Sequence, residues 1–300
     1  MLILDIEFMT HTSNNQGTPL QYIVFNGKFC EASEVMLSFT NRSFNYGDGV
    51  FETIRYTDGK LLYWEEHLER LAQTALFIKL DIDSIDWDSM KESVLFLLDD
   101  PEITNARIKI QLFRKGGGLY RPLSNQASYL ITAAALSNDA FEMNINGLKI
   151  AIYDEVPQTI SRMSAHKTSN ALIYILASIF AQEKELDDAL LINQHGKICE
   201  ATASNAFFVF NNSLFTPPLI EGCLNGIMRT KIIKLAEKNG IKVTEQPIPV
   251  SQVPLADEIF FTNSITGISW VGAYGSKRYF NRMALQLLDL LNQDVKNYTN

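Results

Sequence analysis

A single lysine, Lys167, ends a short polar turn in front of a long apolar stretch, in the segment SAHKTSNALIYILAS. No acidic residue lies between Glu155 and Glu183, so no sequence neighbour would hold the lysine amine in its protonated form. A lysine with a depressed pKa can attack carbonyl compounds and form a Schiff base. Taken alone, a lysine in a polar turn is more typical of an exposed loop, so this chemistry needs partners elsewhere in the chain.

Three other stretches carry residues that could work with this lysine. Arg70 lies in HLERL, Glu200 lies in ICEATASNAFF, and LNGIMR begins at Leu224 before a predicted helix. An arginine can bind an anion through two parallel hydrogen bonds, and the start of a helix offers free N–H groups. Each stretch alone also fits a simpler role, as a solvated helix charge, a turn acid or a capped helix start.

The composition and the missing motifs argue against several classes of protein. A formal charge of −8 disfavours a general nucleic-acid binder, and no apolar run approaches the ~18 residues of a membrane helix. The four histidines lie far apart, and neither a GxxxxGK[ST] nor a GxGxxG loop is present. Cys30, Cys199 and Cys223 are also far apart, which is typical of reduced thiols. We expect a cytoplasmic globular protein without a metal, a nucleic-acid partner or a membrane partner.

The first half of the chain predicts a sheet with helices beside it. YIVFNGKFC and RYTDGKLLYW are typical of hairpins that turn at Asn26-Gly27 and Asp58-Gly59. WEEHLERLAQTALFIKL has the apolar spacing of a helix, and a second helix is predicted over 86–99. ARIKIQLF alternates between apolar and polar residues, so one face of this strand carries Arg107 and Lys109.

The second half mixes strands and helices without a strict βαβ order. We expect a helix over 169–185 capped by Thr168-Ser169-Asn170, a helix from near Asn225, and a last helix over 280–294. The polar stretch LSNDAFEMNING is the best candidate for a domain boundary. The whole pattern predicts an α+β, or mixed α/β, fold. The predicted units are a mobile N-terminal segment at 1–19, a small N-terminal domain at 20–138 and a larger domain at 139–300.

In combination and in this order, the four stretches resemble the fold type IV pyridoxal-phosphate enzymes. That family contains the branched-chain and D-amino-acid aminotransferases and 4-amino-4-deoxychorismate lyase. YGDGVFETIR, followed by DGK, and EIFFTNSITGI share in the resemblance, which extends from about Tyr22 to about Val271. The resemblance implies a small N-terminal α/β domain, a larger C-terminal mixed domain with a barrel-like sheet that binds pyridoxal 5′-phosphate, and a homodimer.

The resemblance also implies the residues that hold the cofactor. Lys167 matches the lysine that forms the Schiff base and moves the proton between substrate and cofactor. Glu200 matches the glutamate that pairs with the pyridine nitrogen and keeps the ring an electron sink, and Arg70 matches the phosphate-binding arginine. The predicted cofactor-binding residues are Arg70, Lys167, Glu200, Asn205, Leu224, Ile227, Met228 and Ser264.

The remaining members of this set are expected to make smaller contacts. Ile227 and Met228 would give backbone N–H groups at the start of a helix, and Ser264 would add a hydroxyl. Leu224 would pack on one face of the ring. Asn205 would brace the strand that carries the glutamate.

Cations of the small domain are candidates for binding the substrate carboxylate. By resemblance, Lys109 matches a position that is arginine in branched-chain aminotransferases and lysine in the lyase. Arg121 lies near the loop that traps the carboxylate in D-amino-acid aminotransferases. Arg107 shares a strand face with Lys109, and that face could equally be turned to water. The predicted substrate-binding residues are Tyr46, Phe51, Arg107, Lys109, Arg121 and Ile265.

The expected reaction is amino transfer between an amino acid and a 2-oxo acid through a Schiff base on Lys167. The alternative is the lyase, which releases pyruvate and 4-aminobenzoate from aminodeoxychorismate. Branched-chain enzymes typically carry GGNY after the lysine, whereas this chain reads TSNAL, and Lys109 with NGIMR favours the lyase. A non-catalytic protein of the same fold is a remote alternative, which intact Lys167, Glu200 and Arg70 argue against.

Overall fold

The computed structural model describes residues 17–138 and 140–298. Two β-sheets, each built from one continuous part of the chain, organise the fold. The mixed α/β fold predicted from the sequence is confirmed. None of the helices in these two ranges combines the length and the apolar character that crossing a membrane requires.

The first sheet lies within residues 18–135 and is antiparallel throughout. Its strands are β1 (Thr18–Pro19), β2 (Tyr22–Phe25), β3 (Lys28–Glu31), β4 (Gly49–Thr57), β5 (Lys60–Leu61), β6 (Asn105–Arg114) and β7 (Ala127–Ala135). Their order is β3-β2-β7-β6-β4-β5, with β1 beside β7. The helices of this part are α1 (Arg42–Tyr46), α2 (Trp64–Phe77) and α3 (Trp87–Leu97). An apolar core joins α2 and α3 to the sheet.

The second sheet lies within residues 148–278 and curls into a half-barrel. Its strands are β8 (Leu148–Gln158), β9 (Asp188–Asn193), β10 (Ile198–Ala201), β11 (Asn205–Phe210), β12 (Ser213–Thr216), β13 (Val243–Glu245), β14 (Glu258–Asn263), β15 (Gly267–Tyr274) and β16 (Lys277–Arg278). Their order is β10-β9-β8-β15-β14-β11-β12-β13, with β16 beside β15. Three helices accompany this sheet: α4 (Leu172–Glu183), α5 (Ile227–Lys238) and α6 (Arg282–Asn297).

Both hairpins expected in the first half are present, and their turns explain the residues found there. Asn26 and Gly27 have φ angles of 48° and 78°, and Asp58 and Gly59 have φ angles of 49° and 76°. Two successive left-handed residues define the turn that matches the twist of paired strands, and Asn-Gly and Asp-Gly pairs favour it. The turns connect β2 to β3 and β4 to β5.

The alternation predicted for β6 is also confirmed, and it separates the core from a cleft. Ile108, Ile110 and Leu112 are fully buried against the helices. Arg107 and Lys109 lie on the opposite face, where they are half-buried. The polar face of β6 is therefore turned toward the second half of the chain.

The predicted start and cap of α4 are wrong. The helix begins at Leu172, and its cap residue Ala171 makes no side-chain hydrogen bond. Thr168-Ser169-Asn170 does not cap it because these residues pair with the start of β4 instead. The start predicted near Asn225 is confirmed, since α5 begins at Ile227 and the Asn225 carbonyl before it accepts from Arg70.

The N-terminal segment predicted to be mobile falls mostly outside the described residues. Residues 1–16 are not among them. Thr18 and Pro19 form β1 and pair with Ala135 and Ala134 of β7. The end of the predicted segment therefore extends the first sheet.

Candidate active site

Backbone pairing between the two halves of the chain holds the loop that carries Lys167. The Phe51 N–H of β4 donates to the Lys167 carbonyl at 3.1 Å, and the Ser169 N–H donates to the Gly49 carbonyl at 2.9 Å. The side chain of Asn170 adds a bond to the Gly47 carbonyl at 3.3 Å. Because β4 belongs to the first sheet and the loop leads into α4, Lys167 lies where the two halves meet.

A cleft of about 1150 Å³ opens at this position. It is wide enough for a cofactor-sized ligand together with a small substrate. Residues of both halves line it. The predicted site residues in its wall are Phe51, Arg70, Arg107, Lys167, Glu200, Asn205, Leu224, Ile227, Met228, Ser264 and Ile265.

The amine of Lys167 has a pKa suited to nucleophilic chemistry. Burial and the nearby positive charge of Arg70 lower the pKa of Lys167 to about 8, while Glu52 and Glu200 act in the opposite direction. The sequence next to Lys167 has no acid, but the fold brings Glu52 and Glu200 near it. The amine is partly neutral near neutral pH because burial and the arginine outweigh the two acids. Its Nζ also lies 4.3 Å from the centre of the Phe51 ring.

Glu200 lies on β10 and is held almost entirely by neutral donors. Its Oε1 accepts the Tyr174 hydroxyl at 2.8 Å. Its Oε2 accepts the Leu224 N–H at 3.0 Å and the Asn205 amide at 3.4 Å. Burial raises the pKa of Glu200 to about 7, although the Leu224 N–H and the Tyr174 hydroxyl lower it.

Asn205 and Leu224 also bind each other, which completes the support of Glu200. The Asn205 amide donates to the Leu224 carbonyl at 2.8 Å. Gly226 suits this position because a Cβ there would collide with the Asn205 side-chain oxygen. The structure thus places Asn205 and Leu224 around the carboxylate that the sequence assigned to the cofactor ring.

Arg70 on α2 is oriented by a second buried glutamate, Glu52 on β4. The Arg70 Nε donates to Glu52 Oε1 at 2.6 Å and its Nη2 donates to Oε2 at 2.7 Å. The Nη1 donates to the Asn225 carbonyl at 2.8 Å. Burial would raise the pKa of Glu52, but Arg70 and His67 outweigh it and lower that pKa to about 2. Glu52 therefore stays ionised and fixes the arginine.

His67 connects this ion pair to Ser264. Its Nδ1 lies 2.7 Å from Glu52 Oε2, and its Nε2 lies 3.4 Å from the Ser264 hydroxyl. Burial lowers the pKa of His67, against the effect of Glu52. We therefore assign a neutral ring that donates to Glu52 from Nδ1, which leaves Arg70 as the main charged partner of the glutamate.

The start of α5 and the turn after β14 line the same cleft as Arg70. The cap residue of α5, Gly226, makes no side-chain hydrogen bond, so the first N–H groups of the helix have no side-chain cap. On β14, the buried hydroxyl of Thr262 has no partner among the described residues. The N–H of Ile265, one of the predicted substrate-binding residues, donates to the Asn263 side chain at 2.9 Å.

Two of the predicted substrate residues are half-buried cations without a carboxylate partner among the described residues. Arg107 lines the cleft, whereas Lys109 is not part of its wall and lies 5.2 Å from the centre of the Phe51 ring. Neither side chain makes a hydrogen bond or an ion pair within ranges 17–138 and 140–298. Burial lowers the pKa of both side chains.

Tyr46 and Arg121 lie in an adjoining cavity of about 690 Å³ instead. Thr168 and Asn170 line both cavities, so the Lys167 loop separates them. Arg121 is exposed, and Tyr46 contacts the Tyr120 ring at 5.7 Å. Within the described chain these two residues do not join the group around Lys167.

Sequence reasoning missed three residues that shape the site: Glu52, His67 and Tyr174. Glu52 and His67 lie within the quoted stretches FETIR and EHLERL, and their full burial is the signal that only the fold supplies. Tyr174 belongs to the apolar stretch after Lys167, where the sequence pattern alone indicates a residue that packs in the core. An apolar helix face with one tyrosine hydroxyl is the weak signal that could have indicated a buried acceptor.

Comparisons with known proteins agree with this geometry. The sequence model described as Amino-transferase class IV matches residues 49–274. A Methanocaldococcus jannaschii protein, named as a proposed branched-chain-amino-acid aminotransferase, is 30% identical over 91% of this chain and 95% of its own. The aminodeoxychorismate lyase of Vibrio harveyi is 28% identical over 76% of this chain and 84% of its own.

A solved structure shows the same fold. The branched-chain aminotransferase of the thermophilic archaeon Thermoproteus uzoniensis, with norvaline, superposes with a TM-score of 0.83 and 24% identity, over 92% of this chain and 95% of that one. The family model covers most of the chain, and it includes the strand of Glu52, the Lys167 loop and the strand of Glu200. The chain is an enzyme of the class IV aminotransferase family.

Proposed function

We propose that this enzyme uses pyridoxal 5′-phosphate to transfer an amino group between an amino acid and a 2-oxo acid, with Lys167 as the residue that attaches the cofactor. The observation that carries the proposal is the convergence of a lysine of depressed pKa, a phosphate-binding corner and a buried carboxylate in one cleft. Class IV aminotransferases are pyridoxal-phosphate enzymes that act on amino acids and oxo acids.

The donors at one end of the cleft fit a phosphate group. Glu52 takes the Nε–H and one Nη2 N–H of Arg70, and the Asn225 carbonyl takes one Nη1 N–H, so about two of the five N–H donors remain for an anion. The N–H groups of Ile227 and Met228 favour an anion at that helix start. Ser264 adds a hydroxyl beside them.

The other end fits the ring. Glu200 can hold a protonated pyridine nitrogen, and its neutral donors leave its negative charge without a directly bound cation among the described residues. Bound pyridoxal phosphate supplies an electron sink for the carbanion that forms when the substrate α-carbon loses its proton. Lys167 Nζ is placed to take that proton and return it, because its pKa of about 8 allows both states near neutral pH.

Arg107 supports binding of the substrate carboxylate. It is half-buried, lines the cleft and lies near enough to Lys167 to lower the pKa of that lysine. A cation in such a position favours an anionic substrate and can orient it by two parallel hydrogen bonds. Amino acids and 2-oxo acids share a carboxylate beside the reacting carbon, which matches this placement.

The lyase reaction is a second candidate. The Vibrio harveyi relative and the lysine at position 109 support it. The reaction begins with the same proton removal by Lys167, so the cofactor contacts do not distinguish it from amino transfer. Release of pyruvate from aminodeoxychorismate is the property that separates the two functions.

We also propose a homodimer. The exposed face of α4 carries four large apolar side chains beside the mouth of the cleft, and a contiguous apolar surface is typical of an interface. These side chains are Leu172, Ile175, Leu176 and Ile179. A second copy that covers this face would also exclude water from the cleft. Sedimentation of the purified protein as a monomer would contradict this part of the proposal.

The test uses the visible absorbance of the purified protein loaded with pyridoxal phosphate. L-glutamate, L-leucine and D-alanine are added one at a time, without an oxo acid. We expect one of them to convert the lysine-bound form to the pyridoxamine form, and the Lys167→Ala variant to show no lysine-bound form and no turnover. If no amino acid reacts, formation of 4-aminobenzoate from aminodeoxychorismate would establish the lyase. A wild type without a lysine-bound form contradicts the proposed function.

A further inference from the structure

The hydroxyl of Tyr174 is the closest donor to Glu200. Tyr174 is the third residue of α4, and its hydroxyl lies 2.8 Å from Glu200 Oε1. The Gln158 amide of β8 lies 3.4 Å behind it and donates to the same hydroxyl oxygen. The tyrosine ring packs beside the apolar cluster between α4 and the second sheet, so the hydroxyl has little freedom to turn away.

A count of donors shows why this contact matters for the ring of the cofactor. A carboxylate has about four acceptor positions, two on each oxygen. The Leu224 N–H and the Asn205 amide occupy Oε2, while Tyr174 occupies one position on Oε1. The remaining position lies on Oε1, so the donor that orients this oxygen is Tyr174.

In the part of the chain that the structure describes, no cationic side chain is hydrogen-bonded to Glu200. Lys167 faces it from the loop before α4, and Arg229 faces it from α5. The Arg229 Nη2 donates to the carbonyl of Pro217 and to the carboxylate of Glu245, so that arginine is engaged elsewhere.

The other titratable neighbours of Glu200 are neutral. They are Cys199 on the same strand, Cys223 before α5 and Tyr174. Burial raises the pKa of each of these three groups, so none of them adds a charge near neutral pH. The charge of Glu200 therefore depends on neutral hydrogen-bond donors.

We propose that Tyr174 is a positioning residue that acts through Glu200: its hydroxyl fixes the charge and the orientation of the carboxylate that binds the pyridine nitrogen. The inference rests on the proposed function, because it concerns the same cofactor site. It assigns a role to a residue of the apolar helix that follows the lysine. Without the hydroxyl, Oε1 would lose its closest donor, and Glu200 would become protonated at a higher pH.

The test compares two ligands of the cofactor-free, full-length protein. One is pyridoxal phosphate, and the other is its analogue in which a C–H group replaces the ring nitrogen. We expect Tyr174→Phe to weaken binding of pyridoxal phosphate about tenfold, since a hydrogen bond to a charged group is lost, and to leave binding of the analogue within about twofold. Tyr279→Phe is the matched control, because it removes a buried hydroxyl that bonds to the Val253 carbonyl away from Glu200.

A pH series adds a readout that a purely structural role would not change. The lower pH limit of pyridoxal-phosphate binding should rise by about one pH unit in Tyr174→Phe, because a less stabilised Glu200 is protonated more easily. In a Glu200→Gln background the same substitution should change neither affinity, since its effect passes through the carboxylate.

The outcomes separate this inference from the proposed function. Equal weakening of both ligands, no change in either, or an undiminished effect in the Glu200→Gln background would overturn the role of Tyr174. Loss of folding in Tyr174→Phe, measured by circular dichroism, would also assign the hydroxyl to stability and overturn it. A wild type that binds neither ligand would contradict the proposed function itself.

Discussion

Two buried glutamates, Glu52 and Glu200, lie near Lys167 and differ in how their charge is compensated. Glu52 is 0% exposed and Glu200 is 3% exposed. Glu52 binds the guanidinium of Arg70 through both oxygens, whereas Glu200 binds a hydroxyl, an amide and a backbone N–H. The pKa of Glu52 falls to about 2, and that of Glu200 rises to about 7.

This difference in charge compensation indicates that Glu52 has a structural role and that Glu200 is available to bind a ligand. A buried carboxylate that already contacts a cation is compensated whether or not a ligand is bound. A buried carboxylate with neutral donors alone is easily protonated, and its ionised form is stabilised most when a cationic ligand binds beside it. A protonated pyridine nitrogen is such a group, so under the proposed function the ring would bind where the compensation of charge is incomplete.

Glu52→Gln should have the largest effect, and it should act on stability. The substitution leaves the Arg70 guanidinium buried without its carboxylate, and removing one partner of a buried pair costs about 3–5 kcal/mol. Chemical denaturation of the cofactor-free protein measures this loss. Folding lowers the pKa of Glu52 from 4.5 to about 2. The stability that its charge contributes is therefore fully present above pH 4.5 and is lost as the pH falls toward 2.

A surface pair provides the control for this measurement. Glu66 lies 2.6 Å from Lys231 and is 41% exposed on its side chain. Glu66→Gln should cost about 0–1 kcal/mol, because water already compensates both charges. If Glu52→Gln were as mild as the surface substitution, the interpretation of Glu52 as part of the scaffold would be wrong.

Glu200→Gln should change the free energy of unfolding less than Glu52→Gln does. It should stabilise the cofactor-free protein near neutral pH, whereas Glu52→Gln destabilises it. The pKa of Glu200 rises from 4.5 to about 7 on folding, so the folded chain binds more protons than the unfolded chain between these values. The stability of the cofactor-free wild type therefore falls as the pH rises through this window. The neutral amide of Gln does not titrate, so the variant avoids that loss. The stability of Glu200→Gln relative to the wild type should grow by about 1–3 kcal/mol between pH ~5 and ~7.

Denaturation curves recorded at several pH values test this prediction. The decisive quantity is how the difference in free energy of unfolding between Glu200→Gln and the wild type changes with pH. Any constant change from replacing an oxygen by an amide group cancels when two pH values are compared. If the free energies of unfolding of the wild type and Glu200→Gln changed in parallel with pH, the charge of Glu200 would be compensated in the cofactor-free protein, as that of Glu52 is. The contrast between the two glutamates would then disappear.

The sequence predicted the local elements of this arrangement well, since their signals are local. The Asn26-Gly27 and Asp58-Gly59 turns and the alternation of β6 depend on neighbouring residues alone, and the structure has them. The resemblance to a known family supplied Lys167, Glu200 and Arg70 as candidates, and these residues line one cleft. Chemistry that a short motif carries can therefore be predicted without a fold.

The compensation of charge could not be predicted in the same way. The resemblance supplied Glu200, but no local signal around Lys167 indicated Glu52, which β4 brings to the same site. The three residues before Ala171 have the composition of a helix cap, but the pairing with β4 uses their backbone instead. Both errors have one cause, because contacts between distant segments outweigh local preference where two sheets meet.

The smallest predicted effect is that of Ser264→Ala, which sharpens the contrast between the phosphate side and the ring side. Ser264 lies on the Glu52 side, 3.4 Å from His67, and this long bond leaves its hydroxyl available to a phosphate. We expect affinity for pyridoxal phosphate to fall about three- to tenfold, and affinity for pyridoxal, which lacks the phosphate, to stay within about twofold. Ser269→Ala on β15, away from the cleft wall, is the control. An equal loss for both ligands would place Ser264 at the ring, and the phosphate would then have to bind without the group that His67 supports.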